Sequence, residues 1–118
     1  MNKYNFSSSF ERLASSASAR QIRAQTAFAS AGLRFVPIDC LRSAGSNHSS
    51  TCLVNGFTVL IDYASAVAFR HPDGSFVAVD RNFFSKTTDR ATDKFTGNAR
   101  VIRVPLDRFN ELLKQHLM

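Results

Sequence analysis

Residues 50–80, STCLVNGFTVLIDYASAVAFRHPDGSFVAVD, carry the clearest local signal in the chain. Asn55-Gly56 separates two β-prone runs, as a type I′ hairpin turn requires, because both of its central residues take a positive φ. A second hairpin turns at His71-Pro72-Asp73-Gly74, where proline and glycine supply the turn dihedrals. Four short strands joined by tight turns make an antiparallel meander. Phe57, Val59 and Ile61 alternate with Thr58, Leu60 and Asp62, so one face is the more apolar.

On the N-terminal side of this run lies RSAGSNHSST, 42–51, small, polar and without periodicity, which predicts a loop. RFVPID, 34–39, predicts a short strand that Pro37 confines to an edge or to the sheet entry. Further back, Ser8 followed by Glu11 fits a capping box, in which hydroxyl and carboxylate each satisfy an orphan amide. From there to Ala31 neither Gly nor Pro interrupts a helix of about twenty residues, closed by Gly32 as a left-handed cap. Phe10, Leu13, Ala14, Ala17, Ala24, Phe28 and Ala31 share one stripe of that helix.

On the C-terminal side, NFFSKTTDRATDKF, 82–95, takes the chain from strand to helix. Ser85, Thr87 and Thr88 can each cap that helix, and Thr87 is the preferred choice. Lys86 and Arg90 flank its start, where unpaired amides and the dipole also favour a phosphate. Asp89 and Asp93 count the other way, since acids in a first turn are ordinary dipole partners. Capping alone, where the strand turns into the helix, is favoured over phosphate contact. A strand at 100–104 then runs into a terminal helix that Pro105 can start, with Leu106, Phe109, Leu112, Leu113 and Leu117 on its apolar stripe. The expected fold class is α+β: a long N-terminal helix, an antiparallel β-meander of four to five strands, a short helix, and a C-terminal strand and helix. A chain of 118 residues without a linker or repeat is expected to form a single domain, 1–118. With 44% hydrophobic residues and eleven phenylalanines it can bury a core, which argues against disorder.

Fifteen Lys and Arg against nine Asp and Glu leave a net charge of +6, which favours nucleic acid or an acidic protein surface as partner. In the first helix Arg12, Ser16, Arg20 and Arg23 recur at steps that align three arginines on one ridge. With Lys86, Arg90, Arg100 and Arg103, these arginines form the candidate binding set. No apolar run approaches the length of a membrane span, and MNKYNFSSSF lacks the apolar core of a secretory signal, so no membrane association and a cytoplasmic location are expected.

Catalytic chemistry finds little footing. Cys40, His48 and Cys52 lie on or beside one loop without the close ligand pairs of a zinc site, so neither a metal nor another cofactor is expected. A thiol nucleophile needs an electropositive, shaped environment that a serine-rich loop does not guarantee. In a cytosolic protein Cys40 and Cys52 are reduced, whereas an oxidising compartment allows one bridge between them. The aspartates are scattered over turns and strand ends, and Gly45-Ser46 lacks the rest of a phosphate loop. The expected activity is non-enzymatic.

The run YASAVAFRHPDGSFVAVDRNFFSKTTDRATDKF resembles a pattern in small uncharacterised phage-encoded proteins. They carry a hairpin with V-A-x-R and D-G, then an aromatic and S-x-T-T-x-[RH]. The matching positions are Val67, Ala68, Arg70, Asp73, Gly74, Phe84, Ser85, Thr87, Thr88, Arg90 and Asp93-Lys94. The sequence departs from the pattern at Thr92-Asp93, where those proteins often carry a polar residue before the basic one. The resemblance implies a phage or mobile-element origin and a host-cell setting, and it transfers no catalytic residue. Two functions then compete. One is nucleic-acid binding through a basic helix face. The other is inhibition of a host enzyme or defence complex, with the arginine ridge and the loop 43–51 meeting an acidic patch. The alanine-rich first helix also allows pairing with a second copy, a homodimer.

Overall fold

The computed structural model describes residues 19–33, 36, 38, 40–46 and 48–117. Six strands form one sheet in chain order: β1 (Cys40–Ser46), β2 (Ser49–Val54), β3 (Phe57–Asp62), β4 (Ser65–Arg70), β5 (Phe76–Val79) and β6 (Val101–Val104). Among the described residues three helices, α1 (Ala19–Ser30), α2 (Lys86–Thr96) and α3 (Leu106–Leu117), complete an α+β fold.

The turns follow their residues. Asn55 at φ 50° and Gly56 at φ 82° both sit in the left-handed region, so β2 and β3 close as a primed hairpin. Between β4 and β5, Gly74 N–H donates to the His71 carbonyl at 2.8 Å, with Gly74 at φ 96°. α1 ends in a Schellman motif: Leu33 N–H reaches the Phe28 carbonyl at 2.8 Å, and Gly32 N–H reaches that of Ala29 at 3.0 Å. The expected beginning of this helix, with Ser8, Phe10, Leu13, Ala14 and Ala17, lies outside the described residues.

Three expectations are corrected. The sheet is mixed, because β6 pairs with β5 in parallel, and a pure four-to-five-strand antiparallel meander is not what forms. A parallel neighbour cannot be reached by a tight turn, so the chain crosses over through α2. The serine-rich stretch 42–51 is not a loop: β1 and the start of β2 pair through it, Ser43 opposite Ser50 and Arg42 opposite Thr51. Backbone pairing needs no apolar alternation at a sheet edge, and the register shift between Ser43 and Ser46 absorbs Gly45 at φ 90°. Finally, Val36 and Ile38 lie outside any strand. Val36 packs into the core instead; the remainder of 34–39 lies outside the described residues.

Helices cover both faces. Phe57, Val59, Ile61 and Phe69 pack in one core with Ala24, Ala27 and Phe28 of α1 and Phe109 and Leu113 of α3. On the opposite face, Leu60, Val67, Ala68 and Ala78 meet Ala91 and Phe95 of α2. Val67 is the extra residue of a bulge, since Leu60 pairs with Ala68 and Ile61 with Ala66. The small residues Ala68, Ala78 and Ala91 let α2 lie close to the sheet. Its cover explains why Leu60 and Asp62, on the less apolar side of β3, are nevertheless buried.

Candidate functional site: a basic cleft beside the second helix

Ser85, with extended backbone, caps α2: its Oγ accepts from Thr88 N–H at 3.2 Å. Thr87, the preferred cap from sequence, is therefore free to face outward, and the cap falls two residues earlier. Thr88 turns inward. Its Oγ1 donates to Asp62 Oδ2 at 2.6 Å, and Ser49 Oγ donates to Asp62 Oδ1 at 2.6 Å. Asp62 is only 2% exposed. A buried carboxylate is costly unless its lone pairs are met, and here two hydroxyls meet them. The same carboxylate thereby clamps the first turn of α2 onto the β2–β3 pair.

That clamp opens a cleft of about 150 Å³ between α2 and the β1–β2 hairpin. Thr87, Arg90 and Lys94 form its helical wall, and Gly45, His48 and Ser49 the opposite one. Lys94 approaches the hairpin so closely that a Cβ on Gly45 would fall 2.6 Å from its Nζ. The lysine tip could move aside, but at φ 90° any other residue would be strained.

The charges of α2 are sorted by side. Asp93 accepts from Arg81 at 2.7 and 3.1 Å and from Arg103 at 3.2 Å. The hydrogen bonds from Arg81 hold the Asp93 carboxyl below its usual range, aided by the charges of Arg81 and Arg103. Asp89 accepts from the backbone N–H of Asn82 at 3.1 Å. Lys86, Arg90 and Lys94, four residues apart in succession, occupy another ridge, and none of them makes an ion pair among the described residues.

Beside the cleft, Tyr63 follows Asp62 in a tight turn at φ 54°. For a residue with a Cβ this conformation costs on the order of 1–2 kcal/mol. Its N–H donates to the His48 carbonyl at 2.7 Å, and its ring stacks on the His48 ring at 4.4 Å and 12°. The ring is 53% exposed. Phe83 and Phe84 stand directly before the Ser85 cap and are exposed as well.

The expected site residues are scattered. Arg12 lies outside the described residues. Arg20 and Arg23 are half-buried on α1, whose exposed positions are Gln21, Ile22, Gln25, Thr26, Ala29 and Ser30, and α1 covers the other face of the sheet from α2. Arg100 is exposed beside Phe76 and Ile102 at the β6 edge. Arg103 is engaged: besides Asp93, it donates to the Val79 carbonyl at 3.1 Å, so it is a structural tie and not an available cation. Lys86 and Arg90 stand exposed on α2. Sequence reasoning passed over Lys94 and Ser49, and weighed His48 only for metal or thiol chemistry. The four-residue step from Arg90 to Lys94 was the visible signal for the first.

Among the described residues, no three His, Cys, Asp or Glu side chains gather to hold a metal, and no helix is long and apolar enough to cross a membrane. Fold and site together define a small α+β protein with a cationic cleft beside a capped helix. The chain belongs to the Family of unknown function (DUF8033), whose model matches residues 38–111. That segment holds the whole sheet and the complete cleft, and leaves α1 outside. No curated protein and no solved structure matches the chain.

Proposed function

We propose that this protein binds nucleic acid without catalysis, through the basic face of α2. One observation carries the reading: Asp93 pairs with two arginines from other elements and Asp89 accepts a backbone amide, while Lys86, Arg90 and Lys94 make no ion pair among the described residues. Cations spaced along a helix suit a repeating phosphate backbone, and their binding releases counterions. The cleft adds the hydroxyl of Thr87, which suits phosphate oxygens. The arginines of α1 make a separate, lesser contribution from the far face. The resemblance of residues 63–95 to phage-encoded proteins supports a phage or mobile-element setting for this activity, inside a host cell.

Fluorescence anisotropy with mixed-sequence DNA and RNA oligonucleotides tests it. With three phosphate contacts, affinity should fall roughly 20-fold between about 50 and about 200 mM salt. Replacing Lys86, Arg90 and Lys94 together with glutamine should flatten that slope. Absence of binding at the lower salt overturns the reading and leaves inhibition of an acidic host protein, to be sought by pull-down with the same triple variant as control.

A further inference from the structure

We infer that the nucleic acid is single-stranded, with one base stacked on the outer face of the Tyr63 ring. This rests on the phosphate-binding reading above and adds to it a reader of unpaired bases. Asp62 is the hinge of the argument, because its carboxylate holds Thr88 of α2 at 2.6 Å while Tyr63 is the next residue in the chain. An exposed aromatic ring is therefore fixed at the end of the helix where the cationic ridge begins.

The ring is also prepared for stacking. His48 covers one face at 4.4 Å, nearly parallel, and lines the cleft itself. The remaining exposure leaves room for a third layer. Tyrosine is a poor choice on backbone grounds at φ 54°, where Gly, Asn or Asp fit with less strain. The turn thus keeps an aromatic side chain against its local preference, as is common where a side chain serves a ligand. Bases in a duplex offer no free face to such a ring, whereas an unpaired base does.

The test compares an unstructured oligothymidylate with a hairpin duplex of equal phosphate number, for the unaltered full chain, Tyr63→Gly and Tyr63→Trp. Because a positive φ favours glycine, Tyr63→Gly should keep its fold, checked by circular dichroism and melting temperature. It should lower single-strand affinity about tenfold and leave duplex affinity unchanged. Tyr63→Trp should retain single-strand affinity, and its indole, in a chain that otherwise has no tryptophan, should be quenched by the oligothymidylate and not by the duplex. Equal binding of both ligands, or single-strand binding indifferent to Tyr63→Gly, overturns the stacking site while the phosphate-binding reading stands. Failure of both ligands to bind at low salt overturns the two together.

Discussion

The two flanks of α2 have nearly the same stock of charge and opposite fates. On one, Asp89 and Asp93 are occupied by the Asn82 amide and by two arginines from other elements. On the other, Lys86, Arg90 and Lys94 make no ion pair among the described residues, and the last two border a cleft. A helix with acids and bases at similar spacing would ordinarily pair them within itself. Here the acids are used to attach the helix to its surroundings, which leaves the bases available. The difference shows that net charge alone does not tell which cations are paired; the location of the acidic partners does.

The comparison can be broken at its foundation, through the carboxylate beneath both flanks. Asp62→Ala leaves the buried Ser49 and Thr88 hydroxyls without their acceptor and should cost about 3 kcal/mol in urea denaturation. A loss below about 1 kcal/mol would show that the clamp does not seat the helix. Next in size, Arg90→Glu with Lys94→Glu should weaken nucleic-acid binding by at least about tenfold, with little change in melting temperature. A comparable loss of stability would place these cations in the fold instead of the site. Smaller still, Ser85→Ala should cost about 1 kcal/mol and Thr87→Ala less than about 0.5 kcal/mol, which separates the cap from the outward hydroxyl. The smallest effect belongs to the acidic flank. Asp93 is half-exposed, so solvent screens its pairs and Asp93→Asn should lower the melting temperature by only about 2 °C at neutral pH.

The pH dependence sharpens the last of these. A carboxyl whose folded value is depressed binds its proton less readily than in the unfolded chain. The stability from Asp93 is therefore complete above the ordinary value of 3.8 and is lost as pH falls through the lower folded value. Thermal melts below about pH 4 should show a shallower acid limb in Asp93→Asn than in the unaltered protein. Identical limbs would show that the arginine contacts do not persist in solution.

Much of the fold was legible, and the legible parts share a cause. Asn55-Gly56, the Pro72-Asp73-Gly74 turn and Gly32 act through their own backbone dihedrals, which the sequence states directly. β1 was not legible because an edge strand of serine and alanine forms by backbone pairing with β2, a partner its own pattern does not name. The parallel placement of β6 was equally hidden, since it depends on how a helix folds back over a sheet. At the site, the spacing of Lys86, Arg90 and Lys94 was on the page, but their availability was not. It follows from Arg81 and Arg103 reaching Asp93 across 12 and 10 residues. The arginine ridge of the first helix shows the converse: helical spacing aligns Arg20 and Arg23, and packing half-buries them.

The parallel seam between β5 and β6 bears on how the molecule matures. β1 to β5 close by neighbouring hairpins and can assemble from local contacts, whereas β6 can join only after residues 80–100 have crossed the sheet. α2 lies within that crossing, so one wall of the cleft arrives with the slowest, most distant pairing. A chain halted before that step would hold a nearly complete sheet and no basic cleft. Nucleic acid should therefore protect α2 and β6 from hydrogen exchange more strongly than it protects the β2–β3 hairpin, making the ligand a latch on the final stage of folding.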